Sequence, residues 1–166
     1  SSSLHHKALL VYQRLLAFHL NDRVSDALVD ADIHRIEFVR GKAVMENKEA
    51  LYINALQQIE KKYGPSGIAA EASYLLAKSQ ADKAADYEPN KPGTEEKKEA
   101  YIRAMAICKK VLEQKGESEG KVNCYNLVKE IEKKELELST EKVNSPDLAF
   151  RTLVRYRNFQ QLHLRL

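Results

Sequence analysis

The apolar residues of this chain recur at helical spacing through a succession of stretches and then, after Glu135, at a spacing of two. A period near 3.6 turns one face of a helix toward a core, whereas a period of two alternates the faces of a strand, so no single element satisfies both. The change of period divides the chain into a helical-hairpin domain, residues 1–134, and the first strands of a β domain, residues 135–166.

In the first stretch Leu4, Ala8, Val11, Leu15 and Phe18 form one stripe, and Leu9, Tyr12, Leu16 and Leu20 form a second. A helix apolar on two sides is expected to have neighbours on two sides. Asn21-Asp22 interrupts it. A second helix, about Val24 to Lys42, is expected to bring Ala27, Ala31, His34 and Phe38 to one face and to make a hairpin with the first. A third, about Asn47 to Tyr63, carries Leu51, Ala55 and Ile59, flanked by Tyr52, Leu56 and Tyr63, and stops at Gly64-Pro65.

Ser66 is placed to cap a fourth helix that runs to about Asp86. Its residues Ala70, Tyr74, Ala77, Ala81 and Ala84 make a face small enough to admit a neighbouring backbone. The stretch from Tyr87 to Gly93 holds Pro89, Asn90 and Pro92 and reads as a loop, after which Thr94 reads as the start of a fifth helix to about Gln114. That helix places Tyr101, Met105, Cys108 and Leu112 on one stripe. Gly116 and Gly120 bracket the turn into a sixth, about Glu119 to Lys134, with Cys124, Leu127, Val128 and Ile131 on its stripe.

The fold class is therefore mainly α: about six helices in antiparallel hairpins, followed by a short, incomplete antiparallel β segment. Tyr52-Ile53-Asn54-Ala55 in the third helix is echoed by Tyr101-Ile102-Arg103-Ala104 in the fifth, 49 positions later. Tetratricopeptide repeats run ~34 residues and cross their helices on small and aromatic residues, so the arrangement resembles them in kind without their length or consensus.

In the tail Leu136, Leu138 and Thr140 alternate with Glu137, Ser139 and Glu141, the pattern of a half-buried strand. Asn144-Ser145-Pro146-Asp147 reads as a turn. A second strand, Phe150 to Arg157, turns Phe150, Thr152, Val154 and Tyr156 one way and Arg151, Leu153, Arg155 and Arg157 the other. Leu162, Leu164 and Leu166 alternate as a third strand whose apolar face is unfinished, as in a domain cut short.

The runs Thr140-Glu141-Lys142-Val143-Asn144-Ser145-Pro146, Phe150-Arg151-Thr152-Leu153-Val154-Arg155-Tyr156-Arg157-Asn158 and Leu162-His163-Leu164-Arg165-Leu166 resemble the opening strands of a macroglobulin domain in bacterial alpha-2-macroglobulin-like proteins. The resemblance covers about thirty residues, 136–166. It implies an exported parent in the periplasm or cell envelope, a protease inhibitor of the trapping type, in which this segment meets the downstream macroglobulin domains of the same chain. If so, the export signal lies upstream. The thioester of that family uses Cys-Gly-Glu-Gln, but Cys108 precedes Lys109-Lys110-Val111 and Cys124 precedes Tyr125-Asn126-Leu127, so no thioester residue transfers.

The 27 basic and 24 acidic residues leave a formal charge of +3, too balanced to argue for nucleic acid or a membrane surface. No apolar run approaches the ~20 residues of a membrane span. Four features invite chemistry, and each has a plainer reading. Asp26, Asp30, His34 and Glu37 fall on one side of the second helix at metal-ligand spacing, yet Arg23, Arg35 and Arg40 interleave with them as a solvated charged face. Cys108 and Cys124 lie symmetrically about Gly116, where either a disulfide or two buried thiols fits. Arg151, Arg155, Arg157 and Arg165 with Tyr156 and Phe159 resemble a stacking platform for a single strand, but outward arginines also protect a sheet edge. His5, His6, His19, His34 and His163 stand in no nucleophile, phosphate-loop or zinc motif.

The expectation is a non-catalytic segment of structural and protein-interaction type, with no catalytic, cofactor or metal residues and an unidentified protein partner. The alternative is a free-standing tetratricopeptide-like adaptor that binds a peptide or protein between its hairpins.

Overall fold

The computed structural model describes residues 3–64, 66–88, 91–97, 99–141, 149–163 and 165. The chain forms two compact units, Ser1–Val128 and Lys129–Leu166. Among the described residues there are six α-helices: α1 (Leu4–His19), α2 (Asp26–Lys42), α3 (Lys48–Tyr63), α4 (Ala69–Ala85), α5 (Ala100–Leu112) and α6 (Glu119–Glu132). Two strands follow, β1 (Glu135–Thr140) and β2 (Thr152–Arg157).

In the first unit each helix packs on the next in sequence from α1 to α5. The start of α1 is fixed by Ser3, whose hydroxyl accepts from the His6 N–H at 3.2 Å and so satisfies one of the donors a helix start leaves open. Ser66 acts differently from the expected cap. Its hydroxyl donates to the Tyr63 carbonyl at 2.8 Å, closing the turn after α3, and α4 begins without a side-chain cap. Thr94 starts a 3-10 turn rather than α5 itself: the Lys97 N–H donates to its carbonyl at 3.0 Å, and its hydroxyl lies 2.8 Å from the Glu88 carbonyl and 2.9 Å from that of Lys91, tying the loop before it. The 3-10 turn (Glu95–Lys97) then precedes α5.

The core is built from Val29, Ile33 and Ile36 of α2, Tyr52, Leu56 and Ile59 of α3, and Ala72, Leu75 and Leu76 of α4. Burying a side chain such as Leu56 contributes ~1.5–3 kcal/mol. Three expected faces are rotated. On α2 the core stripe is Val29, Ile33 and Ile36. Ala31 is buried and Phe38 half-buried, while Ala27 and His34 are exposed. On α3 Tyr52, Leu56 and Ile59 face the core and Leu51 is exposed. On α5 the buried set is Ala100, Ala104, Cys108 and Val111, with Tyr101, Met105 and Leu112 only half-buried.

α4 is the most enclosed helix, with Ala70, Ala77, Ala81 and Ala84 buried as its small-residue face requires. That face does admit a backbone. A Cβ at Gly120 on α6 would overlap the backbone of Ala70 and Glu71, so α6 crosses α4 where only glycine fits. Cys124, Leu127, Val128 and Ile131 are all buried on α6.

In the second unit β1 and β2 pair antiparallel in the register Glu135↔Arg157, Leu136↔Tyr156, Glu137↔Arg155, Leu138↔Val154, Ser139↔Leu153 and Thr140↔Thr152. This puts Leu136, Leu138, Val154 and Tyr156 on one face and the oppositely charged pairs on the other, the alternation read from the sequence. Both strands are largely solvent-exposed. The expected turn Asn144–Asp147 lies outside the described residues, as do Pro65, Pro89 and Asn90. So do Leu164 and Leu166 of the expected third strand. Residues 161–163 and 165 form no strand. Asn158, at φ 58°, turns the chain off the line of β2, and a strand without a ladder has no partners for its peptide groups.

Candidate functional site

α1 combines a firm start with an open side. It buries none of its residues, and Leu4, Val11 and Phe18 are 81%, 62% and 76% exposed, with Leu15 beside them. The other stripe has its neighbour: the Tyr12 ring lies 5.7 Å from that of Phe38 on α2, and the His5 ring meets Phe38 edge-on at 6.1 Å. Of the two sides that the sequence makes apolar, one is occupied by α2 and one faces solvent. Lys7 and Arg14 flank the open stripe, and α1 carries no carboxylate.

A second concave feature lies between α2 and α3. Arg40 Nε sits 3.1 Å from both carboxylate oxygens of Glu49, and its guanidinium stands 4.2 Å from the centre of the Tyr52 ring. Glu49 raises the Arg40 pKa, and burial pushes the Tyr52 phenol up. Beside this clamp is a cleft of about 170 Å³ lined largely by Ile36, Val39, Met45 and Leu51. Arg40, Glu49 and Tyr52 are matched to one another, so the clamp joins two helices rather than offering free chemistry.

Asp26, Asp30, Glu71, Glu117 and Glu119 border a wider cleft of about 450 Å³, at the start of α2, the α3–α4 turn and the α5–α6 turn. Burial raises the Glu71 pKa, and the Asn123 amide, donating at 3.0 Å, works against that rise. Glu119 and Glu37 push it further up.

The sequence candidates fall out as follows. His34 Nε2 and Asp30 Oδ1 are 3.7 Å apart on an exposed face, and among the described residues no three His, Cys, Asp or Glu side chains gather as a metal would need. Asp32, which the sequence did not single out, takes Arg35 at 2.7 Å. Cys108 and Cys124 are free thiols, both fully buried, that meet across the α5–α6 contact. Of the tail arginines, Arg155 faces Glu137 at 3.3 Å and Arg157 donates to the carbonyls of Glu130 and Ile131, while Tyr156 lies on the opposite face from both. They do not form one basic and aromatic platform. His19 Nδ1 lies 2.7 Å from Asp22, closing the end of α1.

The open stripe of α1 was legible in the sequence as one of two stripes. Glu71 and Asn123 were not singled out, and Gly120 only as a turn residue, because each matters through a contact with a distant segment. Among the described residues no helix is long and apolar enough to cross a membrane. No protein-family model matches the chain, and neither does any curated protein or solved structure.

Proposed function

We propose that this chain is a non-catalytic protein-interaction scaffold that docks an amphipathic helix of a partner protein on the outer stripe of α1. The partner helix carries carboxylates beside its own apolar stripe. The observation that carries this reading is a capped, regular helix that leaves Leu4, Val11 and Phe18 in water. Exposed apolar surface gathered on one face marks an interaction site more often than scattered single residues do.

Charge selects the occupant. Lys7 and Arg14 border the stripe with no acid on the helix to balance them, so a second copy would set like charges around one seam, while an acidic helix would be steered to it. Covering Leu4, Val11, Leu15 and Phe18 offers a gross ~6–12 kcal/mol, against an association cost of at least ~4 kcal/mol, so the complex is micromolar at best. The resemblance of residues 136–166 to macroglobulin strands supports placing this scaffold in an exported protease-trapping protein, beside its first macroglobulin domain.

The test is a titration of the isotope-labelled chain with a leucine-striped helical peptide flanked by glutamates and with its lysine-flanked twin. The glutamate peptide should shift resonances of α1, weaken with salt and fail against Val11→Asp/Phe18→Asp. The reading is overturned if neither peptide binds. It is equally overturned if sedimentation reveals a dimer that the double variant dissolves, or if anionic vesicles occupy the same residues while the peptides do not.

A further inference from the structure

The chain has two cysteines, 16 positions apart, one on α5 and one on α6. Cys108 on α5 and Cys124 on α6 are each eight residues from Gly116, both are 0% exposed, and they face each other across the contact of the two helices. The turn between them is held firmly. Gly116 adopts φ 83°, a left-handed conformation that glycine takes without strain, and the Lys121 ammonium donates to the carbonyls of Gln114 at 2.8 Å and Gly116 at 3.0 Å. α5 and α6 are thus set antiparallel before any bond joins them.

We propose that Cys108 and Cys124 are a disulfide-forming pair: a covalent modification site at which a small disulfide oxidant, R–S–S–R, staples the α5–α6 hairpin. In the first step the thiolate of either cysteine, for example Cys108, attacks one sulfur of the oxidant and expels RS⁻, leaving a mixed disulfide on that residue. In the second the Cys124 thiolate attacks the Cys108 sulfur, forms the Cys108–Cys124 bond and expels the second RS⁻. Two electrons pass from the protein thiols to the oxidant, and the two thiol protons end on the two released RSH molecules.

In the closed hairpin each sulfur is the other's hydrogen-bond partner, and burial disfavours a thiolate at either. Burial closes the pair to reagents in the folded chain, so exchange proceeds when α6 opens from α5 or before the hairpin has closed. The site therefore carries a disulfide where the compartment is oxidising and two thiols where it is reducing. This stands independently of what docks on α1.

The experiment equilibrates the whole chain in buffers of graded reduced and oxidised glutathione, then unfolds it, alkylates the remaining thiols and measures intact and peptide masses. The expected result is a chain lighter by two hydrogens, unalkylated, with the Cys108 and Cys124 peptides joined. Its helical circular dichroism should be unchanged and its Tm about 10 °C above the reduced form. A Cys108→Ala/Cys124→Ala chain should show no Tm response to the same buffers. The proposal is overturned if both thiols are still alkylated in fully oxidised glutathione after incubation that includes refolding. Oxidation that stops at a glutathione adduct, links two chains or removes helix also overturns it, as does an equal Tm rise in the double variant. Should that variant not fold, the masses of the native chain decide alone.

Discussion

The side-chain amide of Asn158 donates to the carbonyl of Ile131 at 2.6 Å and to that of Lys133 at 2.9 Å. Beside it Arg157 Nη2 reaches the carbonyls of Glu130 and Ile131 at 3.3 and 3.2 Å. A helix ends with carbonyls that have no partner within it, and here the last residue of β2 and the one after it supply the partners for the end of α6. A positive side chain at that end also suits the helix dipole.

Asn158 does this from φ 58°, a region asparagine enters more readily than most residues. Two substitutions separate the amide from the backbone. Asn158→Gly keeps the turn and loses the donors, and should lower the local opening free energy of the hairpin by about 0.5–1.5 kcal/mol. Asn158→Ala loses both and should cost about 1 kcal/mol more, since alanine is strained there. Hydrogen exchange at the β1 and β2 amides reads the difference, and equal exchange in the two variants would sink the account of the turn.

At Gly120 two effects oppose each other. In an open helix Gly→Ala gains about 1 kcal/mol of propensity. Here the new methyl would overlap the backbone of Ala70 and Glu71, which cannot move aside as a flexible side chain would, and overpacking costs about 1–3 kcal/mol or more. Gly120→Ala should therefore destabilise the chain by at least about 1 kcal/mol in urea unfolding. A stabilised variant would mean that α6 does not cross α4 at this point.

Glu71 sets a pH dependence whose sign follows from its environment. Its folded pKa is raised above the ordinary value of 4.5, chiefly by burial, with Glu119 and Glu37 adding to the rise and Asn123 opposing it. Below about 4.5 the group is protonated in both states and carries no penalty. As pH rises the unfolded chain releases the proton first, so stability is lost through the raised folded value and stays lost at neutral pH. Glu71→Gln should raise the Tm at pH 7 relative to the parent and leave it nearly unchanged at pH 4. A variant whose advantage is the same at both pH values would show that ionisation is not the cause.

The order of helices and the strand alternation were legible because helical periodicity, glycines and a change of period are local signals, whereas the cap read at Ser66 is not one. Phase was less so. On α3 both Leu51 and Tyr52 begin an apolar series, and only packing against α2 and α4 selects Tyr52, Leu56 and Ile59. On α2 the count of His34 as apolar drew the stripe away from Val29, Ile33 and Ile36. Gly120 reads as a turn residue although it is set by its contact with Ala70, and nothing local in the sequence marks Asn158 as the partner of Ile131. At the candidate site the two stripes of α1 could be read, but which would remain open could not, because periodicity states what a helix can bury and not what is there to bury it.

The same contrast gives a direct test of the α1 surface as a surface of function rather than of stability. Leu56 is 0% exposed at the centre of the core, whereas Phe18 is 76% exposed at the end of α1. Leu56→Ala removes a packed side chain and leaves a cavity, so it should cost about 2–5 kcal/mol. Phe18→Ala deletes a larger side chain that the fold does not enclose, and should change stability by no more than about 0.5 kcal/mol. If Phe18 serves only the fold, its loss should instead resemble a core truncation. If it serves docking, Phe18→Ala should leave urea unfolding and circular dichroism unchanged while weakening the acidic helical peptide about tenfold, a loss of ~1.4 kcal/mol. A variant that binds the peptide as the parent does would remove Phe18 from the docking face even though it is exposed.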